Sequence, residues 1–464
     1  MKTKRILGML MLLLIGGIIG FAYAETLVLP QETRVIGEAA FRDCMELTGE
    51  LIIPDGVQTI EAYAFAGCSG FRGVPKIPTT VMTIGPHAFD GCRGLSGVLM
   101  LGPDIDIDET AFVGCDNLTV TLIDKWRVAM ITDYGDITDQ SFNQTTYEAA
   151  KAYCEATGID FTYYKPAGDS TAERVAMVEK VADEDYNVII MPGYAFGETI
   201  AEVQDDYPEI KFIALDVNAF DLGTDPASNV YCAVYQEELC GYMAGYAAVK
   251  LGYKHLGFLG GMAVPAVMRY GFGFVQGADA AAAELGASDV VIDYVYGNQF
   301  YGDADITAYM DNWYQTLGVQ VVFACGGGIY SSAAEAAVKV EGAKVIGVDV
   351  DQAAQIDSTY NAEGLTVTSA MKGLGATVNT LLQAVVDGKW DEFGGKVATL
   401  GLVGEDPAAN YVQLAPSTRF NSRFRYMDYK ALVKKLYNGE LTVSNNISAM
   451  PEVSIKVIDH GTIK

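Results

Sequence analysis

The residues best suited to chemistry sit where apolar runs stop. Val128 to Ile131 is apolar, and beyond it come Thr132, Asp133, Asp139, Ser141, Phe142 and Asn143. These supply carboxylates and amides to exchange hydrogen bonds, with one aromatic face for a flat group. The same change recurs at Met191-Pro192-Gly193, Asp216, Gly260-Gly261-Met262, Gly326-Gly327-Gly328 and Asp349. Glycines at such points let backbone N–H groups approach a ligand closely. No Lys-Ser/Thr follows Gly326–Gly328, so this triplet reads as close packing around a neutral ligand and not as a phosphate loop. The chemistry on offer is recognition by hydrogen bonds and ring contact. A plainer reading of the first cluster is a strand, a turn at Gly135 and a helix capped by Asp139 or Ser141.

Catalytic signatures are sparse. The three histidines are His87, His255 and His460; none accompanies a Gly-x-Ser-x-Gly nucleophile, and no pair has zinc spacing. No enzyme, metal or cofactor is therefore expected.

The elements that must position the candidate residues are an alternation of buried strands and helices from Trp126 nearly to the end. Strands are expected at Val128 to Ile131, Val188 to Met191, Phe212 to Leu215, Leu256 to Leu259, Val291 to Val295, Val319 to Ala324 and Val345 to Val348. Helices are expected at Thr145 to Thr157, Ala172 to Asp183, Tyr235 to Leu251 and Ala333 to Val340. Such parallel, doubly wound sheets bind ligands beyond the carboxyl ends of their strands. A stretch from 125 to 464 exceeds one sheet, so two lobes with a cleft are expected.

At the amino end, Lys2, Lys4 and Arg5 precede an apolar run from Ile6 to Phe21 and the small-residue site Ala22-Tyr23-Ala24. This is the pattern of a secretory signal, residues 1–24, cleaved after Ala24. The run is short for a bilayer span, and no cysteine follows the cleavage point to carry a lipid. The mature chain is expected outside the cytoplasm, beginning at Glu25. The formal charge of −28 grows more negative once the signal's cations leave, and such a surface repels nucleic acid and anionic lipid.

Four of the eight cysteines fall in a repeat. It runs Ile36, Ala40-Phe41, Cys44, Leu47, then Ile60, Ala64-Phe65, Cys68, Phe71. It continues as Ile84, Ala88-Phe89, Cys92, Leu95 and Ile107, Ala111-Phe112, Cys115, Leu118, with cysteines 24, 24 and 23 residues apart. That period is one coil of a solenoid whose inward positions stack on their neighbours, with cysteine as a small buried hydrophobe. The repeat resembles the leucine-rich repeats of bacterial surface proteins of the treponemal type, over roughly Thr33 to Leu122. A short solenoid is expected over 25–124, either a contact module with a surface partner of its own or a spacer.

Four segments carry a second resemblance. Thr132 to Asn143 (TDYGDITDQSFN), Gly257 to Gly277 (GFLGGMAVPAVMRYGFGFVQG), Val345 to Gln352 (VIGVDVDQ) and Thr368 to Lys372 (TSAMK) resemble, in this order, the basic membrane protein family. Its members include purine nucleoside receptors serving ABC transporters, and the resemblance covers roughly Arg127 to Pro416. It implies a type I periplasmic-binding-protein fold in which three segments join two lobes. Lobe I would span about 127–234 and 352–398, and lobe II about 235–351 and 399–464. Hinges would fall near Cys232 to Tyr235, Asp349 to Gln352 and Thr399.

The resemblance also implies a ligand and its contacts. A purine nucleoside (guanosine, inosine or adenosine) would be bound and passed to an ABC transporter permease. Phe142 and Phe300, with Tyr301 as the alternative to Phe300, would hold the base between rings, and Asp133 would contact its polar edge. Asp216 and Asp349, with Lys372 beside them, would take the ribose hydroxyls. Gly326 or Gly327 would bring backbone near the ring, and Asp139 and Asn143 would complete the site. Asp349 and Lys372 can equally be read as a hinge salt bridge.

The alternatives to a nucleoside receptor are a secreted sugar- or nucleobase-binding sensor, an adhesion protein using the repeats and, least favoured, a nucleoside hydrolase. A hydrolase of that kind wants clustered aspartates on calcium, and Asp221 to Asp225 reads more simply as a turn around Gly223. Cys232 and Cys240 are close enough in sequence to bridge, but with Cys154 and Cys325 they are expected as buried free thiols. The tail from Arg419 alternates basic and aromatic residues and suggests no role.

Overall fold

The computed structural model describes residues 27, 29–102, 105–122, 126–133 and 135–464. The expected signal segment 1–24, its cleavage before Glu25 and the boundary at 124/125 lie outside the described residues. Among the described residues, no helix is long and apolar enough to cross a membrane. The chain forms two compact units. One holds the residues up to Arg127 together with Leu382–Phe393, and the other holds Val128–Leu381 and Gly394–Lys464. Leu382–Phe393, which the sequence reading places inside the 125–464 domain, packs with the repeats. Two exposed ion pairs line that contact, with Lys389 Nζ 3.2 Å from Asp55 and Lys76 Nζ 3.6 Å from Asp391.

The repeat unit contains β1 (Val35–Ile36), β2 (Thr59–Ile60), β3 (Thr83–Ile84), β4 (Ser96–Leu101), β5 (Asp106–Ile107) and β6 (Asn117–Leu122). β1, β2, β3 and β5 pair in parallel in that order, and β4 pairs with β6. Phe41, Phe65, Phe89 and Phe112 stack face to face through the coils, with centroids 5.2, 5.4 and 4.9 Å apart. Each such pair contributes about 0.5–1.5 kcal/mol beyond its buried area. The repeat cysteines do more than fill space. Cys68, Cys92 and Cys115 each donate to the phenylalanine carbonyl of the preceding coil, at 2.9, 3.2 and 3.2 Å.

The second unit is α/β. Its strands are β7 (Arg127–Ile131), β8 (Asp160–Tyr164), β9 (Val188–Pro192), β10 (Lys211–Leu215), β11 (Val230–Tyr235), β12 (His255–Gly260), β13 (Val291–Tyr296), β14 (Val321–Cys325), β15 (Lys344–Asp349), β16 (Thr366–Lys372), β17 (Lys396–Leu400), β18 (Val412–Leu414) and β19 (Lys456–Thr462). Its α-helices are α1 (Phe142–Thr157), α2 (Thr171–Asp183), α3 (Phe196–Val203), α4 (Ala219–Leu222), α5 (Glu237–Leu251), α6 (Pro265–Leu285), α7 (Ala304–Asn312), α8 (Tyr330–Ala337), α9 (Ala353–Thr359), α10 (Leu374–Val386, whose residues from Leu382 on fall in the first unit) and α11 (Tyr426–Tyr437). One sheet has the order β17-β11-β10-β9-β7-β8 and the other β18-β16-β15-β14-β12-β13-β19. Only β18 runs antiparallel to its neighbour in the second sheet. Central strands such as β9 and β14 are buried at every residue, as continuous apolar runs in parallel sheets require.

All seven expected strands form, but the lobe boundary moves. β16 pairs in parallel with β15, so the chain stays in the second lobe through Lys372 and crosses just before α10. Residues 352–372 therefore belong to lobe II and not lobe I, and Asp349 to Gln352 is not a crossing. The strand is masked in sequence by Thr366, Thr368 and Ser369, which are buried all the same. Thr368 meets Thr418 at 2.6 Å, and the Ser369 hydroxyl accepts from the Gln352 N–H at 3.1 Å. The other two crossings, after Tyr235 and after Leu400, fall near the expected places.

α5 and α6 interlock in the second lobe. A Cβ at Gly241 or Gly245 would run into the Tyr270 or Phe274 carbonyl, and one at Gly273 or Gly277 into the Glu238 or Tyr242 carbonyl. Two glycine pairs, each four residues apart, thus let the helices approach at backbone distance.

Candidate functional site

A cavity of about 670 Å³ opens beyond the carboxyl ends of both sheets, within the size range of small-molecule sites. All ten residues expected at the site, Asp133, Asp139, Phe142, Asn143, Asp216, Phe300, Gly326, Gly327, Asp349 and Lys372, line it.

The two sheets build the site alike. Asp216 follows β10 and Asp349 ends β15, and both have left-handed backbone, φ 62° and 65°. Gly193 after β9 and Gly326 after β14 match in the same way, φ 130° and 139°. Among residues with side chains, aspartate and asparagine tolerate the left-handed region best. Each lobe thus presents one carboxylate and one glycine at equivalent strand ends.

Lys372, at the end of β16, holds the two carboxylates. Its Nζ donates to Asp216 Oδ2 at 2.6 Å and lies 3.7 Å from both Asp349 Oδ1 and Glu237 Oε1. Burial alone would lower the lysine pKa, but Asp216, Asp349 and Glu237 outweigh it and raise it. The ammonium also sits 4.7 Å from the centroid of the Phe142 ring. Burial raises the Asp349 carboxyl, against the pull of Lys372 and of the Ser141 hydroxyl, which donates to Asp349 Oδ2 at 2.6 Å.

Asp139 behaves as the plainer reading had it. Its two oxygens accept from the N–H groups of Ser141, Asn143 and Gln144 at 2.9–3.0 Å and from Asn143 Nδ2 at 3.2 Å. That fills the acceptor sites of one carboxylate. Asp139 therefore caps α1 and sets Phe142 and Asn143 in place, and its carboxylate has no site left for a ligand. Ser141 makes no capping bond of its own.

Phe300 rests on glycine. A Cβ at Gly261 would lie 2.5 Å, and one at Gly326 2.8 Å, from its ring, so neither position accepts a side chain without moving the ring. The Phe300 carbonyl accepts from the Gly328 N–H at 2.8 Å. Tyr301, the alternative ring, also lines the cavity but is 63% exposed.

Sequence reasoning missed Glu237 and Arg269. Glu237 is fully buried, and its Oε2 accepts from Arg269 Nε at 2.6 Å. Burial pushes the Glu237 carboxyl up while Arg269 and Lys372 pull it down. The only signal was the lone Arg269 in the apolar first half of α6, since Glu237 stands beside a second glutamate, Glu238, at the start of α5. With them the inner site has three carboxylates, Asp216, Asp349 and Glu237, against two cations, which disfavours an anionic ligand. Asp216 Oδ1 and Asn143 Oδ1 are buried and have no hydrogen-bond partner among the described residues. Buried acceptors left in that state are costly, so the cavity is shaped to receive hydrogen-bond donors. Among the described residues, no group of three or more His, Cys, Asp and Glu is arranged to hold a metal ion.

Fold and cavity together define a two-lobed solute-binding protein. Residues 126–446 match the family model described as Bmp, ABC transporter substrate-binding protein PnrA-like, and the chain belongs to that family. Residues 21–147 match the BspA type leucine rich repeat region in 6 copies. The chain is 25% identical over 293 residues to the ABC transporter nucleoside-binding protein BmpA of Lactococcus lactis, covering 60% of this chain and 79% of that protein. It is 24% identical over 295 residues to an uncharacterized lipoprotein of Pyrococcus furiosus, covering 62% and 71%. The fold also matches the ABC transporter solute-binding protein structure from Conexibacter woesei, with TM-score 0.53 and 23% identity over 69% of this chain and 99% of that one.

Proposed function

We propose that the cavity binds a purine ribonucleoside, guanosine, inosine or adenosine, outside the cytoplasm and delivers it to an ABC transporter permease. The observation that carries this reading is Asp216 Oδ1, without a hydrogen-bond partner among the described residues, beside Asp349 and Lys372. A ribose diol supplies two adjacent donors to two carboxylates, and the ammonium orients them. Phe142 and Phe300 line the same cavity, and their rings would take the base. Asp133 and Asn143 offer polar groups for its edge. The nucleoside-binding description of the Lactococcus relative supports the ligand class. The signal-like amino end and the lipoprotein description of the Pyrococcus relative support the location, and the repeats would meet a surface partner of their own.

Calorimetry of the purified protein against the three nucleosides, free purine bases and ribose tests the reading. Nucleosides should bind far more tightly than ribose, because two ring faces act on one base. Equal binding of ribose would make this a sugar-binding protein, and release of free base from inosine would make it an enzyme.

A further inference from the structure

Asp293 lies in β13, is not among the residues that line the cavity, and is almost fully buried. Nε2 of His255 on β12 lies 2.6 Å from one of its oxygens, and Nε2 of His460 on β19 lies 2.6 Å from the other. Burial raises this carboxyl, but the two imidazole hydrogen bonds outweigh it and hold the carboxyl below its usual range. The His460 ring also packs against Trp313 and Tyr309, with centroids 5.7 and 6.2 Å away. β12, β13 and β19 are thereby pinned at one point.

Beyond that point β19 is irregular. Asp459 pairs with Tyr294 and Thr462 with Tyr296, so two residues, His460 and Gly461, face the single Val295; Gly461 has φ 70°. A bulge of this kind re-aims the rest of its strand. The last residues of the chain reach the loop after β13: the Ile463 N–H donates to the Tyr296 carbonyl at 2.8 Å. Lys464 Nζ pairs with Asp303 and donates to Gln299 Oε1 at 3.4 Å. Gln299 in turn donates to the Tyr301 carbonyl at 2.9 Å and to Asp303 at 2.8 Å, while Asp303 caps α7. These contacts fix the residues on either side of Phe300 in the chain.

The geometry points to β19 and Lys464 as a clasp that positions Phe300 against the ligand, with Asp293 and His460 setting the clasp in register. His460 and Lys464 are positioning residues; neither lines the cavity. The inference rests on the nucleoside reading, because it assigns the clasp to the ring that would stack on the base.

The test compares wild type with Lys464→Gln, whose side chain is partly exposed, and His460→Ala, each alone and combined with Phe300→Ala. Guanosine and ribose affinities are measured by calorimetry, and backbone amide exchange is followed over 297–303. Each clasp variant should weaken guanosine roughly 2- to 10-fold, the range of one ring contact. Ribose should be unaffected, no further loss should appear in the Phe300→Ala background, and exchange at Phe300 and Tyr301 should quicken. Equal losses for ribose and guanosine, additive losses with Phe300→Ala, or unchanged exchange would overturn the clasp. If wild type binds no nucleoside, the nucleoside reading fails, and the exchange measurement alone still decides whether β19 and Lys464 hold the loop.

Discussion

Lys372 Nζ donates to Asp216 Oδ2 at 2.6 Å from the opposite lobe, so a single buried ammonium joins the ends of the two sheets. The same cation lies 3.7 Å from Asp349 and from Glu237. Its removal leaves three buried carboxylates facing Arg269 alone, and breaking a buried ion pair from one side typically costs about 3–5 kcal/mol. Lys372→Met is expected to lose that much stability in urea unfolding at neutral pH. Burial already raises the Asp349 and Glu237 carboxyls, and the folded variant would take up protons more readily than its unfolded chain. Its deficit should therefore shrink toward about pH 5.

Asp349 separates ligand contact from hinge support. Its left-handed backbone suits glycine, so Asp349→Gly removes the carboxylate without straining the chain. A hydrogen bond to a charged group contributes about 1.5–3 kcal/mol, and the variant should bind nucleoside roughly 10- to 150-fold more weakly. It should also scarcely distinguish a nucleoside from its 2',3'-dideoxy form. If the variant instead melts earlier when empty and keeps that discrimination, Asp349 is a structural partner of Lys372.

Asp133 predicts how affinity follows pH. Burial pushes its carboxyl up to about 7, against the Gly135 N–H that donates to it at 2.6 Å. Inosine and guanosine present an N1–H that suits the carboxylate, whereas adenosine presents an N1 acceptor that suits the protonated acid. Between about pH 6 and 8, inosine affinity should rise and adenosine affinity should fall. Calorimetry across that range checks both, and two flat profiles would remove Asp133 from the base edge.

The same shift enters stability with a definite sign. Because the folded pKa is raised, the folded state keeps a proton that the unfolded chain loses, and the contribution of Asp133 declines between about pH 4 and 7. Asp133→Asn keeps the acceptor for Gly135. Any advantage in Tm over wild type should therefore widen from about pH 5 to pH 7.

The repeat thiols should be inert. Burial pushes Cys68 up to about 12 and Cys115 up to about 11, and it raises Cys92 as well. Since the thiolate is the reactive form, an aromatic disulfide reagent at neutral pH should label these cysteines only on unfolding. Rapid labelling of folded protein would mean that the coils open locally.

The seven strands legible in sequence are apolar runs, interrupted only at Asp293 and Gln320, and β16 escaped because Thr366, Thr368 and Ser369 break its apolar pattern while Thr368 is satisfied by Thr418 and Ser369 by Gln352. The strand ends were legible as a set, since carboxylates and glycines stand out after apolar stretches. Their division of labour was not: Asp139 and Asp133 look alike in sequence, and only the N–H groups of α1 converging on Asp139 make it a cap. Glu237 and Arg269 stayed hidden because a charge on a helix is usually solvated, whereas these two meet across separate helices. The alternating tail beyond Arg419 suggested no role because β19 depends on a bulge and on partners more than a hundred residues away.

The left-handed backbone at Asp216 and Asp349 bears on how this lineage can change. One base change in an aspartate codon gives glycine or asparagine, and both accept that backbone. These two single-base steps away from either carboxylate thus leave the backbone unstrained while altering what the site holds. Ligand preference can drift through these two substitutions without backbone strain.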